Sequence, residues 1–304
     1  MPQSLALAAM ATRFELVLDD EARAAGESAL EAIADVERRL SRFRRDSVVA
    51  RLAEPRRHGP ARSVVLTRDE VALVELCRRA CARSDGAFDP ALGEPPFASW
   101  RVDRKARRLF APRDGTRLDF GGVGKGYALD LAARELCAAG VARALIHGGT
   151  SSVTALGSPP GAAAWKVALR DPVEPERAIA TVLLRDAALS VSAPHGRVRI
   201  VEGRARGHVV DPRDGTPVER ARLAAVVARH GAVAEVWSTA LLVLAERRLR
   251  RGAALDARAL RLPPSISALV AFERGGSLQV ELFGRRAALF SVVPRALALV
   301  ESSR

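Results

Sequence analysis

The segment that most restricts this chain is Leu118-Asp-Phe-Gly-Gly-Val-Gly-Lys-Gly-Tyr-Ala-Leu-Asp130. Leu118-Asp-Phe120 reads as the end of a short strand, and Gly121 to Gly126 as a turn. The residues after it read as a helix running to Ala139 and stopping at Gly140, where a C-terminal glycine belongs. Glycines let a backbone approach an anion closely, and a helix start offers N–H groups and a positive dipole end. Lys125 adds a mobile charge. The run is not a Walker A loop, because Asp119 stands where its first glycine belongs and Gly126 follows the lysine. The dinucleotide pattern Gly-x-Gly-x-x-Gly cannot be placed on it either. On spacing alone, a structural strand-to-helix turn and a phosphate site stand equal. Composition leans toward the second: of 48 basic residues only Lys105, Lys125 and Lys166 are lysines, and the sole tyrosine is Tyr127.

The remaining basic residues are arginines spread along all 304 residues, giving a net charge of +13 without a basic block. That distribution is a compositional drift, not a binding stripe. With aromatics at 4%, there are no stacking platforms, so nucleic acid is not an expected partner. Hydrophobic residues at 48% and charged residues at 27% describe a folded globular protein and exclude disorder, collagen and coiled coil. No apolar run is long enough to span a membrane. Leu5 to Met10 is too short for a signal segment, and no lipidation cysteine lies near the start. Cys77, Cys81 and Cys137 make no disulfide framework. Cys77 and Cys81, four apart on a helix, read as small buried residues in preference to a metal pair. A reducing cytoplasm is the expected location.

Elsewhere, Phe14–Leu18 reads as a strand. Asp19 to about Phe43 reads as a helix, with Leu30, Ile33, Val36, Leu40 and Phe43 on one face. Thr67-Arg-Asp-Glu70 is a capping box opening a helix through about Arg83. Strands are expected at 142–146, 153–156, 165–169, 182–184, 224–228, 268–272 and 278–282. Residues 197–201 and 208–210 read as a hairpin, and 233–249 as a helix. Helices do not alternate strictly with strands, so the class is α+β.

Glu235-Val-Trp-Ser-Thr239 places a carboxylate and a hydroxyl at i and i+4, on one face of a buried helix. A buried carboxylate needs a partner. A hard cation such as Mg²⁺ would serve, and so would the bland role of complementing the helix dipole, which is favoured without other information. Among the histidines, His208 stands in Gly207-His-Val-Val-Asp-Pro-Arg-Asp-Gly215 as a base, a ligand or a packed core residue. No Ser-His-Asp set and no His-Glu-x-x-His is recognisable.

Taken in order, these segments resemble the ApbE family, the FAD:protein FMN transferases, from Met10 to about Leu244. Met10-Ala-Thr-Arg-Phe14 is similar to an opening Met-Gly-Thr strand. Leu40-Ser-Arg-Phe-Arg-Arg-Asp-Ser47 is similar to Leu-Ser-x-aromatic-x-x-Asp-Ser. Asp85-Gly-Ala-Phe-Asp-Pro90 and Leu118 to Asp130 are close matches. Gly148-Gly149, His208-Val-Val-Asp-Pro-x-x-Gly-x-Pro217 and Glu235-Val-Trp-Ser-Thr-Ala240 complete the series.

The resemblance implies one α+β unit over residues 1–304, of two intimately packed halves with a flavin-nucleotide cleft between them; residues 245–304 supply C-terminal strands. It implies Mg²⁺-dependent transfer of the FMN moiety of FAD to a Thr or Ser hydroxyl of a target flavoprotein, with release of AMP. The alternatives are an FAD pyrophosphatase giving FMN and AMP, or a flavin-nucleotide-binding protein without turnover. The Gly122 carbonyl, Glu235 and Thr239 would hold the metal. Met10, Phe43, Ala87, Phe88, Asp89, Asp119, Lys125 and Val209 would line the FAD site. His208, beside the reacting phosphate, and Lys125 would be catalytic. This chain departs from the family in four places: Glu235 where an Asp is usual, Phe43 where a Tyr is common, Ser192-Ala193-Pro194 where Ser-Gly is usual, and no Asn within Ala50–Glu54.

Overall fold

The computed structural model describes residues 2–54, 62–93, 95–113, 115–194, 198–201, 204–207 and 209–293. Leu5 to Met10 falls in a hairpin, in which β1 (Pro2–Ala9) pairs antiparallel with β2 (Thr12–Asp19). Its two connecting residues, Met10 and Ala11, have φ of 51° and 55°, the twist a two-residue hairpin turn needs. Neither is glycine. The left-handed conformation costs an L-residue more than glycine's extra chain entropy, so Ala11→Gly is expected to stabilise the fold by about 0.5 kcal/mol. A rise in the urea midpoint at unchanged slope would show it.

α1 (Arg23–Leu40) follows and buries Gly26, Ala29, Ile33, Val36 and Leu40; of the expected face, Ile33, Val36 and Leu40 are buried, while Leu30 is only partly so. It ends at Leu40, short of the expected Phe43, and so leaves that ring on an exposed loop. α2 (Val48–Ala53) starts on Ser47, whose hydroxyl accepts from the Ala50 N–H at 2.9 Å. β3 (Ser63–Val65) then leads into α3 (Arg68–Arg83), which opens on the expected Thr67/Glu70 capping box. Cys77 and Cys81 are buried on it. β4 (Arg101–Asp103) and β5 (Arg108–Phe110) join β3 in a small sheet.

α4 (Gly124–Ala138) leaves the glycine turn and stops before Gly140, whose φ is 78°. Leu118–Phe120 is not a strand. The Asp119 N–H donates instead to the Pro90 carbonyl at 2.8 Å, so the segment is fixed by another loop and not by a ladder. β6 (Ala144–Gly148), β7 (Ser152–Leu156), β8 (Trp165–Arg170), β9 (Ala178–Leu184) and β10 (Ala187–Ser192) come next. β11 (Val198–Val201) and β12 (Arg204–Gly207) form the expected hairpin with a different second strand; Val210 makes only an isolated bridge to Pro217. β13 (Ala221–Ala228), α5 (Gly231–Arg250), β14 (Ser267–Arg274), β15 (Ser277–Phe283) and β16 (Phe290–Val292) complete the chain.

Eight strands form one sheet in the order β1-β2-β6-β7-β10-β13-β14-β15, antiparallel throughout. This is the α+β class expected from the missing βαβ alternation. Central strands are buried on both faces and alternate between two cores. On β13, Ala224, Val226 and Ala228 meet the core that holds the buried faces of α1, α4 and α5. Leu223, Ala225 and Val227 meet the core beneath the sheet β16-β9-β8. β14 and β15 occupy one margin of the large sheet and β16 one edge of the small one, which gives the residues after Leu244 a structural role.

Candidate functional site

The starts of α4 and α5 cross in backbone contact. A Cβ on Gly126 would lie 2.3 Å from the Gly231 carbonyl oxygen, and one on Gly231 would lie 2.6 Å from that of Gly126. Only glycine at both positions permits this approach. It lets Glu235, in the second turn of α5, reach across: its Oε2 accepts the Gly126 N–H at 2.8 Å. Glu235 Oε1 accepts the Ser152 hydroxyl at 2.7 Å and takes the Lys125 ammonium at 2.6 Å. The carboxylate is 4% exposed, so these three donors replace its water shell.

Glu235 does not serve the start of its own helix; the N–H it accepts belongs to the first turn of α4. The start of α5 is complemented by Asp130 on α4, whose two oxygens accept the Gly231 and Ala232 N–H groups at 2.6 and 2.9 Å. Burial pushes the Asp130 carboxyl above its ordinary range; the two N–H donors pull it back, and the charge of Glu235 adds to the upward push.

Thr239 lies one turn beyond Glu235. Its hydroxyl is 3.2 Å from that of Ser192, which is 2.8 Å from Ser238; Ser238 is in turn 3.1 Å from Ser190. These hydroxyls tie α5 to β10. A Cβ on Gly122 would sit 3.9 Å from Thr239 Oγ1 and 3.4 Å from Phe88 Cε2, so the glycine turn, the Phe88 ring and Thr239 face one another. Met10 joins them, with its sulfur 3.9 Å from the Cβ position of Gly124 and its N–H donating to Glu37 at 2.7 Å.

Asp119 accepts the Gly121 N–H at 2.8 Å and pairs with Arg42 at 3.1 Å. The Arg42 guanidinium lies 4.4 Å from the centre of the Phe43 ring, which is 82% exposed. Ala87 and Phe88 are buried. Asp89 is buried too and turns inward, accepting the Ala91 N–H at 2.8 Å and the Phe97 N–H at 3.3 Å; burial raises its carboxyl above the ordinary range. Val209 packs on the main core, and its carbonyl accepts the Val218 N–H. Arg213 clamps this turn to the 85–90 segment, donating to both oxygens of Asp211 at 2.7 Å and to the Asp85 carbonyl at 3.0 Å. His208 lies outside the described residues.

The turn therefore differs from an open phosphate cradle. The Gly124, Gly126 and Tyr127 N–H groups are engaged, and Lys125 points at a carboxylate. Arg42, Ser152 and Arg213 were not singled out by sequence reasoning. The contacts that bring them to the site, Arg42 to Asp119, Ser152 to Glu235 and Arg213 to Asp85, join residues distant in the chain, so no local pattern marks them.

No group of three or more His, Cys, Asp or Glu side chains that could hold a metal exists among the described residues. The oxygen groups here are the Glu235 carboxylate and, one helical turn on, the Thr239 hydroxyl, with the Gly122 backbone facing that hydroxyl. A carboxylate offers about four lone-pair sites, and three are in use at Glu235. An all-oxygen set with a single protein charge fits a hard divalent ion that also keeps waters or phosphate oxygens. No helix among the described residues is long and apolar enough to cross a membrane.

A family model described as the ApbE family matches residues 10–260. An FAD:protein FMN transferase of Rhodobacter capsulatus is 31% identical over 60% of this chain and 40% of its own length. That of Salmonella typhimurium is 30% identical over 53% of this chain and 47% of its own, so the chain spans less than half of each. One from Klebsiella pneumoniae is 27% identical over 79% of this chain and 77% of its own. The solved ApbE protein from Thermotoga maritima superposes with a TM-score of 0.79 at 22% identity, over 96% of this chain and 99% of that one. Flavin transferase ApbE from Vibrio cholerae does so at 0.73 and 16%, over 95% and 100%. These structures share the eight-stranded architecture's fold, and the family match runs through every segment that builds the helix crossing. The chain belongs to the ApbE family.

Proposed function

We propose that this protein transfers the FMN moiety of FAD to a Thr or Ser hydroxyl of an acceptor flavoprotein and releases AMP. The observation that carries the reading is the buried Glu235 carboxylate at the mouth of the glycine turn, beside Lys125 and one helical turn from Thr239. The curated relatives bear the name FAD:protein FMN transferase.

The Gly122 carbonyl, Glu235 and Thr239 would hold Mg²⁺, which supplies charge stabilisation at phosphate oxygens when bound. The acceptor hydroxyl oxygen forms a bond to the FMN phosphorus, and the bond from that phosphorus to the anhydride oxygen breaks. AMP leaves with that oxygen, and the hydroxyl proton passes to a base, the role read for His208. Lys125 offsets charge on the anhydride as it parts. Phe43 offers an exposed ring face for the isoalloxazine. Met10, Ala87, Phe88, Asp89, Asp119 and Val209 complete the FAD site, Asp89 by shaping its turn.

Incubation with FAD, Mg²⁺ and an acceptor domain is expected to yield AMP and a covalently fluorescent acceptor band. AMP without the band would assign FAD hydrolysis instead. FAD binding without AMP at any Mg²⁺ or Mn²⁺ level would overturn both enzymatic readings.

A further inference from the structure

We infer that Lys125 is a resident cation of the metal site: its ammonium neutralises Glu235 until a divalent ion arrives, and then swings away into the FAD site. The inference rests on the proposed metal site and adds an order to its use. Both lone pairs of Glu235 Oε1 are taken, one by Ser152 and one by Lys125, and Oε2 holds the Gly126 N–H. A carboxylate this buried, with Asp130 at the same crossing, requires a positive partner when no metal is present.

An ammonium and a divalent ion on one buried carboxylate would repel strongly in a medium of low dielectric, so each excludes the other. The residue type suits a partner that must let go. In a chain that uses arginine for nearly every positive charge, this position has a lysine. Arginine would grip the carboxylate with two parallel bonds; lysine is a point charge on a flexible stem. The Lys125 side chain is 23% exposed, so it is not sealed in with the carboxylate it pairs with. Released from Glu235, it stands on the glycine turn as a free positive charge for a pyrophosphate. The dinucleotide thus gains its lysine only after the metal is bound, so metal precedes FAD.

The three lysines make the test direct, since Lys105 and Lys166 are exposed and act as internal references. The full chain is reductively methylated with formaldehyde and cyanoborohydride, with and without Mn²⁺, and each lysine is followed by peptide mass spectrometry. Mn²⁺ binding is measured separately by calorimetry. Without Mn²⁺, Lys125 is expected to react at least about tenfold slower than the references, and Mn²⁺ is expected to restore most of that factor at Lys125 alone. In Glu235→Gln, Lys125 is expected to react fast with or without Mn²⁺. Bound Mn²⁺ with an unchanged or slower Lys125 overturns the exchange and leaves the metal site standing. No Mn²⁺ binding overturns both.

Discussion

Gly126→Ala is expected to cost the fold about 3–5 kcal/mol and to disable the site with it. The new Cβ would meet the Gly231 carbonyl oxygen at 2.3 Å, its carbon at 2.4 Å and the Ala232 nitrogen at 2.9 Å. All three are backbone atoms, so no rotamer change relieves the overlap and α4 and α5 must draw apart. Separation breaks the Gly126 bond to Glu235 and strains both bonds from Asp130 to the start of α5. Gly124→Ala is the control. Its Cβ would meet only Met10 Sδ at 3.9 Å, and alanine favours the helix, so stability is expected to stay within about 1 kcal/mol of the parent. Urea unfolding of both variants decides the matter: equal midpoints would mean the crossing tolerates a methyl group and the glycines serve something else.

Glu235→Ala is expected to lower metal-dependent AMP release by about 100- to 1000-fold, the scale on which a group that stabilises developing charge is felt. It also leaves the Gly126 N–H and the Ser152 hydroxyl unpaired in a buried place, for a stability loss of about 2–3 kcal/mol. Lys125 adds little to that loss because its side chain is partly exposed and flexible enough to find water. Two further variants separate charge from shape. Glutamine keeps the shape, but its NH₂ must face a donor, either Lys125 and Ser152 or the Gly126 N–H, and it is expected to be nearly as inactive as alanine. Aspartate keeps the charge and the oxygen donors on a shorter reach, and is expected to fall between glutamate and glutamine. AMP release measured across a Mg²⁺ series checks the order. Unchanged turnover in Glu235→Ala would remove this carboxylate from the reaction.

What the sequence made legible was what its signals carry locally. The capping box at Thr67 and Glu70, the apolar face of α1 and the stop at Gly140 are each fixed within a few residues, and each stands where expected. The Glu235–Thr239 pair was legible because i and i+4 is a helix property. The failures lie where a distant partner decides. β1 is a strand because β2 pairs with it, and Leu118–Phe120 is not one because Pro90 takes the Asp119 amide. β10 was missed although it lies at the middle of the large sheet. Ser152 meets Glu235 across 83 positions, and Arg213 meets Asp85 across 128; no window of local sequence contains either pair. The pairing of Lys125 with Glu235 is of the same kind, since no local window joins the two.

The hydroxyl ladder from Ser190 through Ser192 and Ser238 to Thr239 anchors α5 to β10, and Ser152 anchors Glu235 to β7. These two strands are the innermost pair of the eight. Local opening in such a sheet begins at its margins, here β1 and β15, and reaches the middle only as the whole domain opens. The groups assigned to the cation would therefore keep their places through every partial opening that frees Met10 at the β1–β2 turn. Slow amide exchange at Ser152 and Ser192, beside fast exchange around Met10, would mark a site whose Met10 side opens long before its Glu235 side does.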